Sequence, residues 1–546
     1  MLGWMSRWDD SSLAALFPTA DRIPADVRVD PAMHPPRWLI DGEIRIHAAP
    51  GRPVISRVAT RDADRLEPVL LGHEAMLTAA DAAQAVDAAV RAWAGGEGAW
   101  PSLHVETRMA AVESFAQALE QRTDEIARLL MWEIGKPAAS ARDEVVRSVE
   151  YIRNTVAELS KLREDDLAIQ SGQAGGKTHF ARTHRRPLGV VLCVAPFNYP
   201  INEFLTTVIP ALLMGNVVIA KTPRFGALAN GALCEAFRDH FPPGAVSLLP
   251  GEGHVVIPAV IGSSARDIAG NDEAVVRVLA FIGSEGAANS ILRAHPVPIT
   301  LHKILGLGAK NAAVVLPDAD LDAAAAAIVK GSLGFNGQRC TAEKIVFVHR
   351  SVLDRFVAGV VARVDALVLG MPWTPGVAIT PLPEPHKLDS MRALLDDALA
   401  HGATVRNADG GRGTFSIMRP AVVAEVTSAM RLYHEEQFGP IVPIAAFDDV
   451  EEALDWQRSS PFGQQAAVWG RPDTARQLVR RFTRFVARVN LADVCQRGPD
   501  SFGFSATDKS GFGTLSLREA LLELSRPVLV QATDAAALDA FRAKPP

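Results

Sequence analysis

The chain has 546 residues, of which 48% are hydrophobic and 22% charged, and a formal net charge of −6. Those proportions are ordinary for a globular protein of two to four domains with a large core, and a negative balance without a basic run argues against general nucleic-acid binding. The four cysteines, Cys193, Cys234, Cys340 and Cys495, are scattered without C-x-x-C spacing, so no zinc site, other metal or disulfide framework is expected, and a reducing cytoplasm fits best.

Residues 1–36 are rich in proline (Pro18, Pro24, Pro31, Pro35, Pro36) and read as an irregular extension or surface strap; residues 1–10 lack the apolar run of a signal peptide. Residues 38–69 alternate enough for short strands. Helical periodicity runs through 79–94, 106–132 and 139–162, with Gly135 and Pro137 stopping the second and Arg147 on the third. Residues 178–187 are polar, basic and alternating, as in an exposed ribbon.

From Gly189 the pattern changes. Apolar strands at 189–194, 217–220, 246–249 and 278–282 alternate with helices at 201–214, 227–239 and after Ser284. The apolar stretch 189–220 is long enough to raise the question of a membrane span, but Pro196, Pro200, Pro210, Asn198 and Glu203 interrupt it. The alternation predicts a parallel, doubly wound sheet, which binds ligands at the carboxyl ends of its strands. Lys221, Gly251, Gly253, Gly283 and Ser284 fall at those ends, although the G-x-G-x-x-G dinucleotide fingerprint is absent.

A second α/β unit begins after about residue 308. Asp318 or Asp320 caps an alanine-rich helix, and the break at 334–339 presents Cys340. Cys340 has two readings: a small buried hydrophobe, or a thiolate, its pKa lowered by a nearby cation or helix terminus, that attacks a carbonyl carbon. A strand at 344–348, a helix at 353–368, a strand-like run at 484–490 and a turn at 496–500 follow. Residues 526–531 look like an exposed strand able to pair with another subunit.

Five stretches, in this order and spacing, resemble the aldehyde dehydrogenase superfamily from about residue 38 to about 531. They are Ala195-Pro196-Phe197-Asn198-Tyr199-Pro200, Lys221-Thr222-Pro223, Phe281-Ile282-Gly283-Ser284, Gly337-Gln338-Arg339-Cys340 and Glu436-Gln437-Phe438-Gly439-Pro440. Asn198-Tyr199, Gln338-Arg339-Cys340-Thr341-Ala342, Arg147 and Cys495-Gln496-Arg497-Gly498-Pro499-Asp500 are most similar to the non-phosphorylating, NADP-dependent glyceraldehyde-3-phosphate dehydrogenase branch. The resemblance implies three parts. Residues 37–164 and 188–307 would form the nucleotide domain and 308–510 the α/β catalytic domain. Residues 165–187 and 511–546 would form a β oligomerisation arm and tail, giving a homodimer or homotetramer.

It also implies roles. Cys340 would attack the aldehyde, with the Asn198 amide and the Cys340 N–H holding the oxyanion. Glu436 would hold the nicotinamide ribose, Lys221 would reach the adenosine ribose or its phosphate, and Gly283 and Ser284 would complete the cofactor site. Arg147, Tyr199, Arg339 and Arg497 would hold a substrate phosphate. Many NAD-preferring relatives have a glutamate three residues after the lysine; Arg224 stands there instead, which favours NADP and leaves NAD as the alternative.

Three features depart from the family pattern, one being Phe502-Gly503-Phe504-Ser505-Ala506 where the family usually has Phe-Pro-Phe-Gly-Gly. The general-base glutamate of a Leu-Glu-Leu-Gly-Gly-Lys stretch is replaced by Gly306 in Leu305-Gly306-Leu307-Gly308-Ala309-Lys310, and about nine extra residues lie near 262–272. Three outcomes stay open: another carboxylate (Glu436 or Glu343) serves as base, coenzyme A takes the acyl group, or the protein binds without catalysis. The leading expectation is NADP-dependent oxidation of glyceraldehyde 3-phosphate or another anionic aldehyde to the acid, with no nucleic-acid or membrane partner.

Overall fold

The computed structural model describes residues 7–47, 51–63, 65–266 and 272–540, with the side chains of 539 and 540 excepted. The insertion expected near 262–272 lies partly outside them; its described ends, Ser264–Arg266 and Asp272–Ala274, pair as an antiparallel hairpin.

The first sheet contains β1 (Arg37–Ile40), β2 (Glu43–Ile46), β3 (Val190–Val194), β4 (Val217–Lys221), β5 (Val246–Leu249), β6 (Val276–Ile282) and β7 (His302–Gly306). Their order is β2-β1-β5-β4-β3-β6-β7, closed at the far edge by Gly511–Phe512. From β5 to β7 the strands are parallel. Alternate residues feed opposite layers: Val191, Cys193, Val218 and Ala220 pack one way, Val190, Leu192, Val217 and Ile219 the other. Both faces are therefore covered, which is why these strands read as unbroken apolar runs. The register sets Val194 beside Lys221, Lys221 beside Leu249 and Ile282 beside Gly306, so the loops carrying Asn198, Arg224, Gly251, Gly253, Gly283 and Ser284 leave the same edge.

The second sheet contains β8 (Asn311–Val315), β9 (Glu343–His349), β10 (Ala421–Ala424), β11 (Ile441–Phe447), β12 (Gln465–Trp469) and β13 (Arg488–Leu491), in the order β10-β11-β9-β8-β12-β13 with Thr404–Val405 outside β10. Cys340 lies three residues before β9. A third sheet pairs Ser525–Ala532 with Lys177–Pro187, which also pairs with Gln170–Ala174. The strand at 526–531 thus spends one edge on its own chain, and only its other edge is left for a partner.

Three helices differ from expectation. The span 106–132 is two helices, Val105–Gln121 and Thr123–Ile134, because Arg122 leaves helical geometry (φ −99°, ψ 10°). The span 227–239 is likewise two, Ala227–Gly231 and Cys234–His240. The helix expected at 353–368 ends at Asp365.

The N-terminal segment is a strap bound into two cores. Trp8 packs with Leu388, Met391 and Leu395, while Leu13, Phe17, Ile23 and Val27 join the core beneath the first sheet. Backbone bonds Gly413 N–Trp8 O (2.7 Å) and Arg61 N–Pro18 O (2.8 Å) fix its path.

Candidate active site

A cavity of about 1090 Å³ opens between the carboxyl ends of the first sheet and the loop before β9. Arg147, Asn198, Tyr199, Arg224, Gly283, Ser284, Arg339, Cys340, Glu436 and Arg497, ten of the residues singled out in the sequence, line it. Lys221 does not. It is buried at the end of β4 with Nζ on the Thr222 carbonyl (2.5 Å), and burial lowers its pKa to about 8.

The Asn198 loop is held by a buried ion pair. Lys136 pairs with Glu144 of helix α1 (Ala138–Leu167). Lys136 Nζ also donates to the Asn198 carbonyl (3.1 Å) and sits 3.6 Å from the Tyr199 ring centroid. Glu144 Oε1 accepts from the Ile201 and Asn202 amides (2.9 and 3.1 Å) at the start of helix α2 (Asn202–Leu213), where an anion complements the exposed amides. Asn198 Nδ2 donates to the Gln338 carbonyl at 2.8 Å, tying this loop to the cysteine loop.

The cysteine loop turns sharply. Phe335, Asn336 and Gly337 all have positive φ (51°, 57° and 73°). A Cβ on Gly337 would sit 2.5 Å from the Gly439 carbonyl oxygen, so this glycine is sterically required. Lys344 Nζ donates to the Arg339 and Cys340 carbonyls (2.8 and 2.7 Å) and lies 3.0 Å from Glu436 Oε1. Asn311 Nδ2 also donates to the Cys340 carbonyl (2.9 Å).

The thiol of Cys340 does not follow the expectation of a lowered pKa. Burial, then the Glu203 carboxylate, raise it, and the Lys344 ammonium and a Gln464 hydrogen bond only oppose them. No long helix presents its N-terminus there: a four-residue 3₁₀ turn, Gly334–Gly337, precedes Cys340.

Of the carboxylates considered as replacement base, Glu436 is on the cavity wall and Glu343 is not. Glu343 is buried, accepts from the Cys495 amide (2.6 Å) and has its pKa raised to about 7 by burial. Gly306, at the end of β7, faces the cavity.

Sequence reasoning assigned no role to Glu203. It is the one charged residue of α2, pairs with Arg497, and lines the cavity. A lone carboxylate in an apolar helix five residues after Asn198 was the available signal. Asp500 bridges Arg497 (3.6 Å) and Arg147 (3.7 Å). Glu133 was also missed: its carboxylate accepts from the Gly226, Leu228 and Ala229 amides (3.2, 3.1 and 2.9 Å), anchoring the loop that carries Arg224.

Two α/β sheets, with an asparagine loop and a cysteine loop joined across the cleft by the Asn198–Gln338 bond, define a class. The chain belongs to the aldehyde dehydrogenase family, whose pattern it matches over residues 59–530, and is therefore an oxidoreductase of aldehydes. It is 34% identical over 423 residues to the NADP-dependent glyceraldehyde-3-phosphate dehydrogenase of Streptococcus equinus, covering 77% of this chain and 85% of that one. The enzyme of the same name from Nicotiana plumbaginifolia is 32% identical over 425 residues, covering 77% and 82%. The crystal structure of NADP-dependent glyceraldehyde-3-phosphate dehydrogenase from Bacillus halodurans C-125 complexed with NADP superposes with a TM-score of 0.80 at 30% identity, over 91% of this chain and 99% of that one. Among the described residues, no helix is long and apolar enough to cross a membrane.

Proposed function

We propose that the protein oxidises an anionic aldehyde to the carboxylic acid with NADP and through a thioester on Cys340. The observation that carries the reading is the Asn198–Gln338 bond, which joins the amide donor to the cysteine loop inside a cavity lined by Arg147, Arg224, Arg339 and Arg497.

The residues suit the cofactor. Ser284 caps helix α3 (Glu285–Ala294), its Oγ accepting from the Ala287 amide (3.3 Å), and such a helix start favours phosphate. Thr222 Oγ1 is buried without a hydrogen-bond partner, and Arg224, two residues on and exposed, would meet a 2′-phosphate. Glu436 would hold the nicotinamide ribose. NADP, when bound, supplies the hydride acceptor.

The chain's own residues do the rest. Cys340 releases its proton to solvent water and its sulfur bonds to the aldehyde carbon, while the carbonyl π pair moves onto oxygen, where the Asn198 amide and the Cys340 N–H receive the charge. Loss of hydride from that carbon leaves a thioester. Water attacks the acyl carbon, the C–S bond breaks, and the thiol and acid are released. Of Glu436 and Glu343, Glu436 is the one on the cavity wall and would take the water's proton.

A second reading, acyl transfer to coenzyme A, rests on Gly306: a thiol needs less help than water to attack a thioester, so the missing glutamate matters less. We further propose a cytoplasmic homodimer or homotetramer assembled through the third sheet. Rapid mixing with glyceraldehyde 3-phosphate and NADP, with and without coenzyme A and beside Cys340→Ala, separates these readings. Sustained NADPH formation without coenzyme A supports hydrolysis. One burst followed by coenzyme A-dependent turnover supports acylation. No burst with any aldehyde removes the enzymatic reading of Cys340.

A further inference from the structure

We propose that Glu203 sets the charge that the substrate end of the cavity accepts, selecting aldehydes that carry a single negative charge and disfavouring a phosphate dianion. The inference rests on the aldehyde-oxidising reading above and narrows its substrate class.

Arg147, Arg339 and Arg497 bring three positive charges to this end of the cavity, and Glu203 and Asp500 bring two negative ones. The charges form a connected chain. Glu203 Oε2 accepts from Arg497 Nη1, Arg497 Nε lies 3.6 Å from Asp500, and Asp500 lies 3.7 Å from Arg147. Arg497 and Glu203 are both largely withdrawn from solvent, at 8% and 13% side-chain exposure, so their attraction is screened less than that of a surface pair. Arg497 retains one partner site: Nη2 is buried and receives no acceptor. Arg339 has no carboxylate partner among the described residues; its Nη2 donates only to Thr341 Oγ1 (3.2 Å).

What remains for a ligand is therefore one uncompensated guanidinium and one open N–H position, which matches one negative charge. A phosphate monoester carries close to two charges above its second pKa of about 6. Its second charge would meet Glu203 and Asp500 with no free cation opposite, and like charges brought together at a binding site oppose binding. A carboxylate at the far end of a short aldehyde meets the available donors and no more. The reach of the Glu203 charge is visible at the nucleophile, where it is the second cause, after burial, of the raised Cys340 pKa.

The test uses the full-length protein, NADP, and two substrates, succinate semialdehyde and glyceraldehyde 3-phosphate, with NADPH formation read at pH 8. The ratio of their kcat/KM values is measured for the parent and for Glu203→Gln. The expected result is a parent ratio favouring the semialdehyde, and a swing of about tenfold or more toward the phosphate in the variant. A second measurement needs no variant: in the parent, the phosphate should gain on the semialdehyde as the pH falls from 8 to 5.5, through phosphate's second ionisation near about 6. A parent that favours the phosphate at pH 8, or a ratio unmoved by both the substitution and pH, overturns the role of Glu203 while leaving aldehyde oxidation standing. Failure to oxidise either substrate or any other aldehyde overturns the parent reading and this inference with it.

Discussion

Replacing Gly306 by glutamate tests what the missing base costs. The position can take a side chain. Its backbone is not in the left-handed region, and an added Cβ would meet only Ile282, at 3.3 Å from Cγ1 and 3.6 Å from Cγ2. Ile282 must yield by a few tenths of an ångström, a strain of about 1 kcal/mol on the scale of modest overpacking. The introduced carboxylate would extend from the end of β7 into the cavity that Cys340 lines. A positioned general base contributes roughly 10²–10⁴-fold, or about 3–5 kcal/mol of barrier. Deacylation by water is the step that uses it. The expected outcome is an unchanged first-turnover burst of NADPH and a steady-state rate that rises by at least about 10²-fold, capped by the next slowest step. With coenzyme A as acceptor the gain should vanish, because thiol attack does not depend on that base. Rapid-mixing fluorescence measures both phases in one trace, and circular dichroism checks the fold. A steady-state rate within about twofold of the parent, at equal burst amplitude, would refute the reasoning, since it would mean that deacylation was never limited by the absent base.

Other outcomes follow from the same geometry. Asn198→Ala should lower the burst rate by about 10²–10³-fold, through loss of one oxyanion donor. Glu203→Gln should move the pH midpoint of Cys340 alkylation downward: the Glu203 carboxylate holds the thiol protonated, and a neutral amide removes that repulsion. Glu343 titrates at about 7 in the folded chain against an ordinary 4.5, so the folded state holds the proton longer than the unfolded state. Stability therefore falls as pH rises from 4.5 to 7, and Glu343→Gln should recover about 3 kcal/mol at pH 8 and nothing near pH 4.5, by denaturant titration. Trp8→Ala should cost about 3–5 kcal/mol, because Trp8 is 6% exposed in the core it shares with Met391.

The site's parts were legible in the sequence wherever function is written locally. Asn198, Gly283 and Ser284 follow buried strands, and the parallel register brings all strand ends to one edge, so placing the strands was enough to gather those residues. Cys340 was legible from its glycine-bounded turn, but the state of its thiol was not. That depends on Glu203 and Lys344, and a neighbouring Arg339 suggested the opposite sign. The residues that escaped notice act across long separations. Glu203 and Arg497 are 294 positions apart and Lys136 and Asn198 are 62 apart, and no periodicity reports such pairs. The anchoring of the N-terminal strap escaped for a different reason. Its proline-rich composition reads as surface, yet Phe17 is fully buried, because 3₁₀ turns place single large side chains into a core without any repeating pattern. The same limit applies to function. Three arginines in the sequence point to a dianion, but Asp500 from the Arg497 turn and Glu203, which only the fold brings beside Arg497, change the charge to be matched, so specificity here is a property of the folded network and not of any motif.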